Sequence, residues 1–197
     1  MQRPLFIHRH LVTALAALTA AATMCLTSAA SARARHTCRH ADVPAGAATH
    51  SQMRAAVVCL INQQRTKHHL PALHVRRSLD RSAQRWTNAM VASRRFTHGG
   101  NFAARITAAG FSWSSAGENI ATGFATPRDV VRAWMGSTGH CRNILNPTFA
   151  DVGTGVSRQR VGHFPGAAAT WTQDFGLPKG HTLPIVGQTD SVVIHGE

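Results

Sequence analysis

Acidic residues are scarce in this chain: 8 Asp and Glu stand against 21 Lys and Arg in 197 residues, a formal charge of +13 at pH 7. Lysine is nearly missing, with Lys67 and Lys179 the only two, so arginine supplies almost all of the positive field. Such a field attracts polyanions (nucleic acid, anionic lipid headgroups, wall polymers) without marking where they bind. The basic residues from Arg35 to Arg160 form no long run and are not interleaved with base-stacking aromatics, so no specific nucleic-acid partner is expected. There is no internal repeat. Gly153-Thr154-Gly155 is not followed by a helix and a phosphate-binding lysine, which excludes a phosphate loop. Beyond residue 32 no segment approaches the ~20 apolar residues that cross a bilayer, so an integral membrane protein is not expected.

The one long apolar run lies at the N-terminus. Arg3, His8, Arg9 and His10 precede an Ala- and Leu-rich stretch from Leu11 to Leu26, and Ala30-Ser31-Ala32 has the small-x-small form of a cleavage site. Residues 1–32 are therefore read as a secretory signal peptide and the protein as secreted, with a second cut available after Ala32-Arg33-Ala34. Met24-Cys25 lacks the small residue expected before a lipid-modified cysteine. Cleavage takes away Arg3 and Arg9 and no acid, so the charge of +13 falls by two to +11. Cysteine is scarce too. With Cys25 gone, Cys38, Cys59 and Cys141 remain. Cys38 sits just ahead of the first predicted helix and Cys59 within it, so a disulfide between them would pin the N-terminal segment, leaving Cys141 as a small buried thiol.

Residues 33–50 read as an extended lead-in. Ser51 caps a predicted helix from Gln52 to about Lys67, with Met53, Val57, Leu60 and Ile61 on its core face. After the connector Leu70-Pro71-Ala72-Leu73, Ser78 caps a second helix, Leu79 to about Ser93. A short helix over Asn101 to Ala109 stops at Gly110, and an extended segment carrying Glu118 runs to about Gly123. Thr126-Pro127 starts a helix that ends by Met135-Gly136, burying Val130, Val131 and Trp134. Asn146-Pro147 is a turn. Two strands follow, 150–158 and 168–175, pairing as an antiparallel hairpin across a connection over 159–167. In the second strand Ala169, Trp171, Gln173 and Phe175 alternate with Thr170, Thr172 and Asp174. Residues 178–197 read as a flexible tail. The fold class is α+β, a small antiparallel sheet covered by helices.

Glu118 is the one acid between Asp80 and Asp129, in a segment of small and apolar residues. Phe96-Thr97-His98, Gly117-Glu118-Asn119-Ile120-Ala121, Trp134-Met135-x-Ser137-x-x-His140, Asn143-Ile144-Leu145, Val152-Gly153-x-Gly155 and Trp171-Thr172-Gln173-Asp174-Phe175-Gly176 occur in that order. The set resembles the CAP superfamily of cysteine-rich secretory proteins, antigen 5 and pathogenesis-related 1 proteins, most of all its short exported bacterial members, over about residues 52–177. The resemblance implies a CAP (SCP-like) domain over 51–177, folded as an α-β-α sandwich with a cleft lined by two histidines and two acids. His98, Glu118 and His140 match three of the four. The segment that supplies the second glutamate elsewhere is here Trp134-Met135-Gly136-Ser137, which puts Ser137 on that wall. Asp174 is the other acid near in motif terms, and strand alternation is expected to turn it away.

Two imidazoles and a carboxylate suit a divalent cation, zinc above all, and related cavities take up such ions. The competing expectation is a hydrogen-bonded polar cluster in which Glu118 orients a histidine. Hydrolysis would draw on Glu118 as a base for metal-bound water, or on Ser137 and Cys141 beside His140, but catalysis is not a general property of the fold. Asn119, Asn143 and Gln173 are read as structural, and Trp134 and Trp171 as core. The expected function is that of a monomeric, non-catalytic binding protein outside the cell or at the wall, with His98, Glu118, Asn119, Ser137 and His140 lining its cleft. Its ligand would be a lipid or sterol, an anionic wall polymer or a partner protein; the alternative is a metal-dependent peptidase or wall-degrading hydrolase using His98, Glu118 and His140.

Overall fold

The computed structural model describes residues 37–162 and 169–181. The expected signal peptide over 1–32, the start of the lead-in, residues 163–168 of the hairpin connection and the tail from 182 lie outside the described residues. Among the described residues five helices pack on a four-stranded sheet. In chain order the elements are α1 (His50–Lys67), β1 (His74–Val75), α2 (Arg77–Ser93), α3 (Phe102–Ala108), β2 (Trp113–Thr122), α4 (Pro127–Met135), α5 (Thr138–Ile144), β3 (Asp151–Ser157) and β4 (Thr170–Pro178). No helix of the described residues is long and apolar enough to cross a membrane.

Helix α1 starts ahead of the expected Ser51 cap. Thr49 accepts from the Gln52 N–H while the Gln52 side chain accepts from the Thr49 N–H, a reciprocal capping box. Ser51 has Arg54 at the equivalent third position, which has no acceptor to give. Helix α2 likewise begins at Arg77, with no side-chain cap and Ser78 already inside its first turn. Helix α4 starts as expected, with Thr126 accepting from the Asp129 N–H and proline in the first turn.

The expected hairpin of β3 and β4 forms, antiparallel from Asp151↔Gly176 to Ser157↔Thr170. The strand order β1-β3-β4-β2 makes β4 central, and β2 pairs antiparallel along its other side. The sheet is mixed rather than purely antiparallel. His74 and Arg76 donate to the Ala150 and Val152 carbonyls, so the expected connector after α1 adds the two-residue parallel strand β1. Two residues are too few to carry a period in sequence.

Both faces of β4 are buried, so its alternation separates two covered faces rather than core from solvent. One face carries Trp171 and Phe175 against Met53, Val57 and Ile61 of α1 and Val130 and Trp134 of α4. The other carries Thr172, whose hydroxyl meets that of Thr87 on α2 at 2.8 Å. Gly153 and Gly155 explain how α2 comes so close: a Cβ at either would stand 2.1 to 2.3 Å from the backbone of Leu79 or Ala83. The exposed edge of β2 is closed by side chains, with Asn143 donating to the Glu118 carbonyl and the Trp134 indole to that of Ile120.

Residues 37–48, read as an extended lead-in, are turns and one short 3-10 helix (Ala45–Ala47) docked on the domain, with Cys38, Ala41, Ala45 and Ala48 buried. The Ala45 N–H meets the Ala125 carbonyl, and Asp42 takes a forked contact from Arg128. The Cys38–Cys59 disulfide fastens this segment to α1. With its ends separated by 21 positions in sequence, such a bridge is worth about 3 kcal/mol.

Candidate functional site

Helix α2 ends with Arg94 in the left-handed region, and the chain turns through Phe96-Thr97-His98-Gly99-Gly100. Trp86 of α2 shapes this loop: its indole N–H donates to the Thr97 carbonyl at 3.1 Å. Gly99 has φ +67, and a Cβ there would come within 2.7 Å of the Trp86 ring. The loop pressed onto that ring directs His98 Nδ1 to Glu118 Oε1, at 2.8 Å. From α3, Arg105 lies over the same tryptophan, its guanidinium carbon 3.8 Å from the ring centre, and sets Nη2 2.5 Å from Glu118 Oε2. Both oxygens of Glu118 are thus engaged, with 1% of its side chain exposed against 50% for His98.

The second acid is Asp174, which does not turn away. It stands opposite Glu118 in the β2–β4 register, and paired residues of an antiparallel ladder project on one face. Because the Glu118 carbonyl points outward to Asn143, this is a non-hydrogen-bonded pair, the kind in which side chains approach most closely. Burial pushes the Asp174 carboxyl up to about 8. Ser82 and Arg105 oppose the shift, and the Glu118 charge adds to it. Both Asp174 oxygens and the Ser82 hydroxyl are buried without a well-aligned hydrogen bond. Sequence alternation placed Asp174 correctly on the face of Thr170 and Thr172; what it lacked was the register that puts Glu118 on that same face. Arg105 gave no signal in sequence, being one arginine among many.

His140 joins from the other side. Successive strand residues point to opposite faces, so Glu118 faces His98, Arg105 and Asp174 while Asn119 faces α5. Asn119 donates to the His140 backbone carbonyl at 3.2 Å, and Asn143 donates to Asn119 Oδ1 at 2.9 Å. The Asn119 amide also reaches Gln173 Oε1 at 3.4 Å, so these three residues form one structural network. The His140 imidazole is held below its ordinary pKa, by burial first and then by the field of His98. Ser137 is the N-cap of α5 and Cys141 a half-buried free thiol. Among the described residues no hydrogen bond joins either to the His140 ring.

In this geometry the Glu118 carboxylate is held by two protein partners, one on each oxygen. Arg105 occupies the free side of the Glu118 carboxylate with a positive charge, and His98 takes the other oxygen. Among the described residues no three His, Cys, Asp or Glu side chains gather as a metal-holding group. Trp134 and Trp171 are buried core residues, each with its indole N–H on a backbone carbonyl.

The protein YkwD of Bacillus subtilis, itself uncharacterized, is 37% identical over 123 residues, which cover 60% of this chain and 45% of that protein. This chain thus spans about half the length of that curated relative. Among solved structures, an extracellular protein containing an SCP domain from Bacillus anthracis aligns with a TM-score of 0.56 at 24% identity, over 66% of this chain and 44% of that one. An outer surface protein of Borrelia burgdorferi aligns with a TM-score of 0.55 at 22% identity, over 62% and 90%. A cysteine-rich secretory protein of Staphylococcus aureus gives 0.55 at 15% identity, over 66% and 40%. At these identities the structures attest the fold. The model of the cysteine-rich secretory protein family, CAP, matches residues 58–175, more than half of the sequence, and the chain belongs to that family.

Proposed function

We propose that this chain is a secreted binding protein that acts outside the cell or at its wall, with a cleft that is built for shape rather than catalysis. One observation carries this: Glu118, the acid a hydrolytic mechanism would need, is buried with one oxygen on Arg105 and the other on His98. With 1% of its side chain exposed, a carboxylate so engaged presents almost no surface to a substrate or a water, and the Arg105 charge opposes a metal beside it. The metal-dependent hydrolase is the weaker alternative on the same ground.

Glu118→Gln is expected to leave peptidase and wall-degrading rates at the same background as the native protein. It should also lower the unfolding free energy by about 3 kcal/mol, because Arg105 loses its buried partner. A hydrolytic rate present in the native protein and absent in the variant would sink the proposal. The basic surface favours an anionic wall polymer over a neutral ligand. Retention on anionic wall material should accordingly fall as salt rises from about 0.05 M to about 0.5 M, and retention indifferent to salt would count against an electrostatic partner.

A further inference from the structure

We propose that the outer face of α2 is a binding surface for a linear phosphate-diester polymer lying along Arg77, Arg81 and Arg85. The inference rests on the anionic-partner reading above and gives it a place and a chemistry. The three arginines recur every four residues and are all exposed. On a helix that spacing stacks them on one face, roughly 6 Å apart along the axis.

Like charges at this spacing cost a helix a few tenths of a kcal/mol each, and nothing in α2 offsets them. Its one acid, Asp80, accepts the Thr154 N–H at 2.8 Å with one oxygen, lies within the field of Arg54 from α1, and makes no ion pair with an arginine of α2 among the described residues. Arg81 is anchored on the Ala109 carbonyl, and neither Arg77 nor Arg85 has a side-chain partner among the described residues. A fourth guanidinium enters from α1. Arg54 is fixed by Gln84 at 2.7 Å, and its Nε is buried without an acceptor. With Arg77, Asp80, Arg81 and Gln84 it lines a hollow of about 420 Å³.

The chemistry favours phosphate diesters. Guanidinium forks match phosphate oxygens two at a time, and a row of fixed cations rewards a ligand that repeats its charge. Nucleic acid lacks a stacking platform here, since Trp86, the one aromatic of α2, is covered by Arg105 and Gly99. A bilayer surface lacks an apolar anchor, since Val75 is the only large hydrophobic side chain exposed among the described residues.

The test measures binding of a synthetic poly(glycerol phosphate) chain to the mature protein by titration calorimetry. Changing Arg77, Arg81 and Arg85 to Gln together should weaken binding about tenfold or more, a loss of about 1.4 kcal/mol per decade. Removing the same charge elsewhere, by changing Arg39, Arg95 and Arg142 to Gln, should change it by less than about threefold, roughly half a decade. If freeing the Ala109 carbonyl disturbs the fold, the pair Arg77→Gln and Arg85→Gln decides, and it should still weaken binding clearly more than the distant triple. Equal losses in the α2 variant and the distant one would overturn the inference while leaving a generally anionic partner standing. So would equally tight binding of polyglutamate, a single-stranded oligonucleotide or phosphatidylglycerol vesicles. Failure of the native protein to bind any of these anionic probes would overturn the broader reading as well.

Discussion

Replacing Arg65 with methionine is expected to lower the unfolding free energy by about 4–5 kcal/mol, an exceptional loss for one residue. Arg65 is 1% exposed, and among the described residues no carboxylate forms an ion pair with it. Instead Nε donates to the Pro71 carbonyl at 2.8 Å, Nη1 to those of Ile144 and Asn146 at 2.9 and 2.8 Å, and Nη2 to that of Phe149 at 3.2 Å. Burial pulls its pKa below the ordinary value, though a guanidinium stays charged, so the carbonyl dipoles are what neutralise it. Methionine fills the space but leaves four carbonyls without their donor. Lysine at 65 places its donors on a single nitrogen and should recover less than half of the loss. Urea unfolding measures the difference, and a loss under about 1 kcal/mol would refute this account. Because Arg65 holds the end of α5, the amides around His140 and Asn143 should also exchange faster in the variant.

Asp174→Asn should stabilise the protein by an amount that grows with pH. In the unfolded chain the carboxyl titrates near 3.9, whereas in the folded protein burial raises it to about 8. Below about pH 4 both states are protonated and the residue imposes no penalty. Between about pH 4 and about pH 8 the unfolded chain ionises first, so native stability falls by about 1.4 kcal/mol per unit. Above about pH 8 the penalty levels off. At pH 7 it reaches roughly 4 kcal/mol, which asparagine, neutral and of the same shape, would relieve. The groups around Asp174 are Ser82 from α2, Arg105 from α3 and Glu118 from β2, with His98 beyond Glu118. Unfolding of both proteins at about pH 5, 7 and 9 gives the check, and a difference independent of pH would rule out a buried, protonated Asp174.

Elements with many apolar positions were legible. The Met53, Val57, Leu60, Ile61 stripe of α1 and the Thr126-Pro127 start of α4 each occur where the sequence puts them. Helix α5 was not legible, since Ile144 is its one buried residue and α5 is held by Asn119, Asn143 and Arg65 reaching across the fold. Strand β1 depends in the same way on β3 being beside it.

The candidate site divides along the same line. The sequence alone determined which residues are available: an isolated Glu118, histidines on either side of it, a wall without its second glutamate, and a surplus of arginine. It also determined the family, because ordered motifs survive without coordinates. Only the tertiary structure decided which charges meet. The β2–β4 register set Asp174 against Glu118, the loop over Trp86 brought His98 and Arg105 onto the same carboxylate, and the alternation of β2 sent Asn119 to α5 instead. Register and loop closure follow from packing between elements far apart in the chain, so no local pattern around Glu118 encodes its partners.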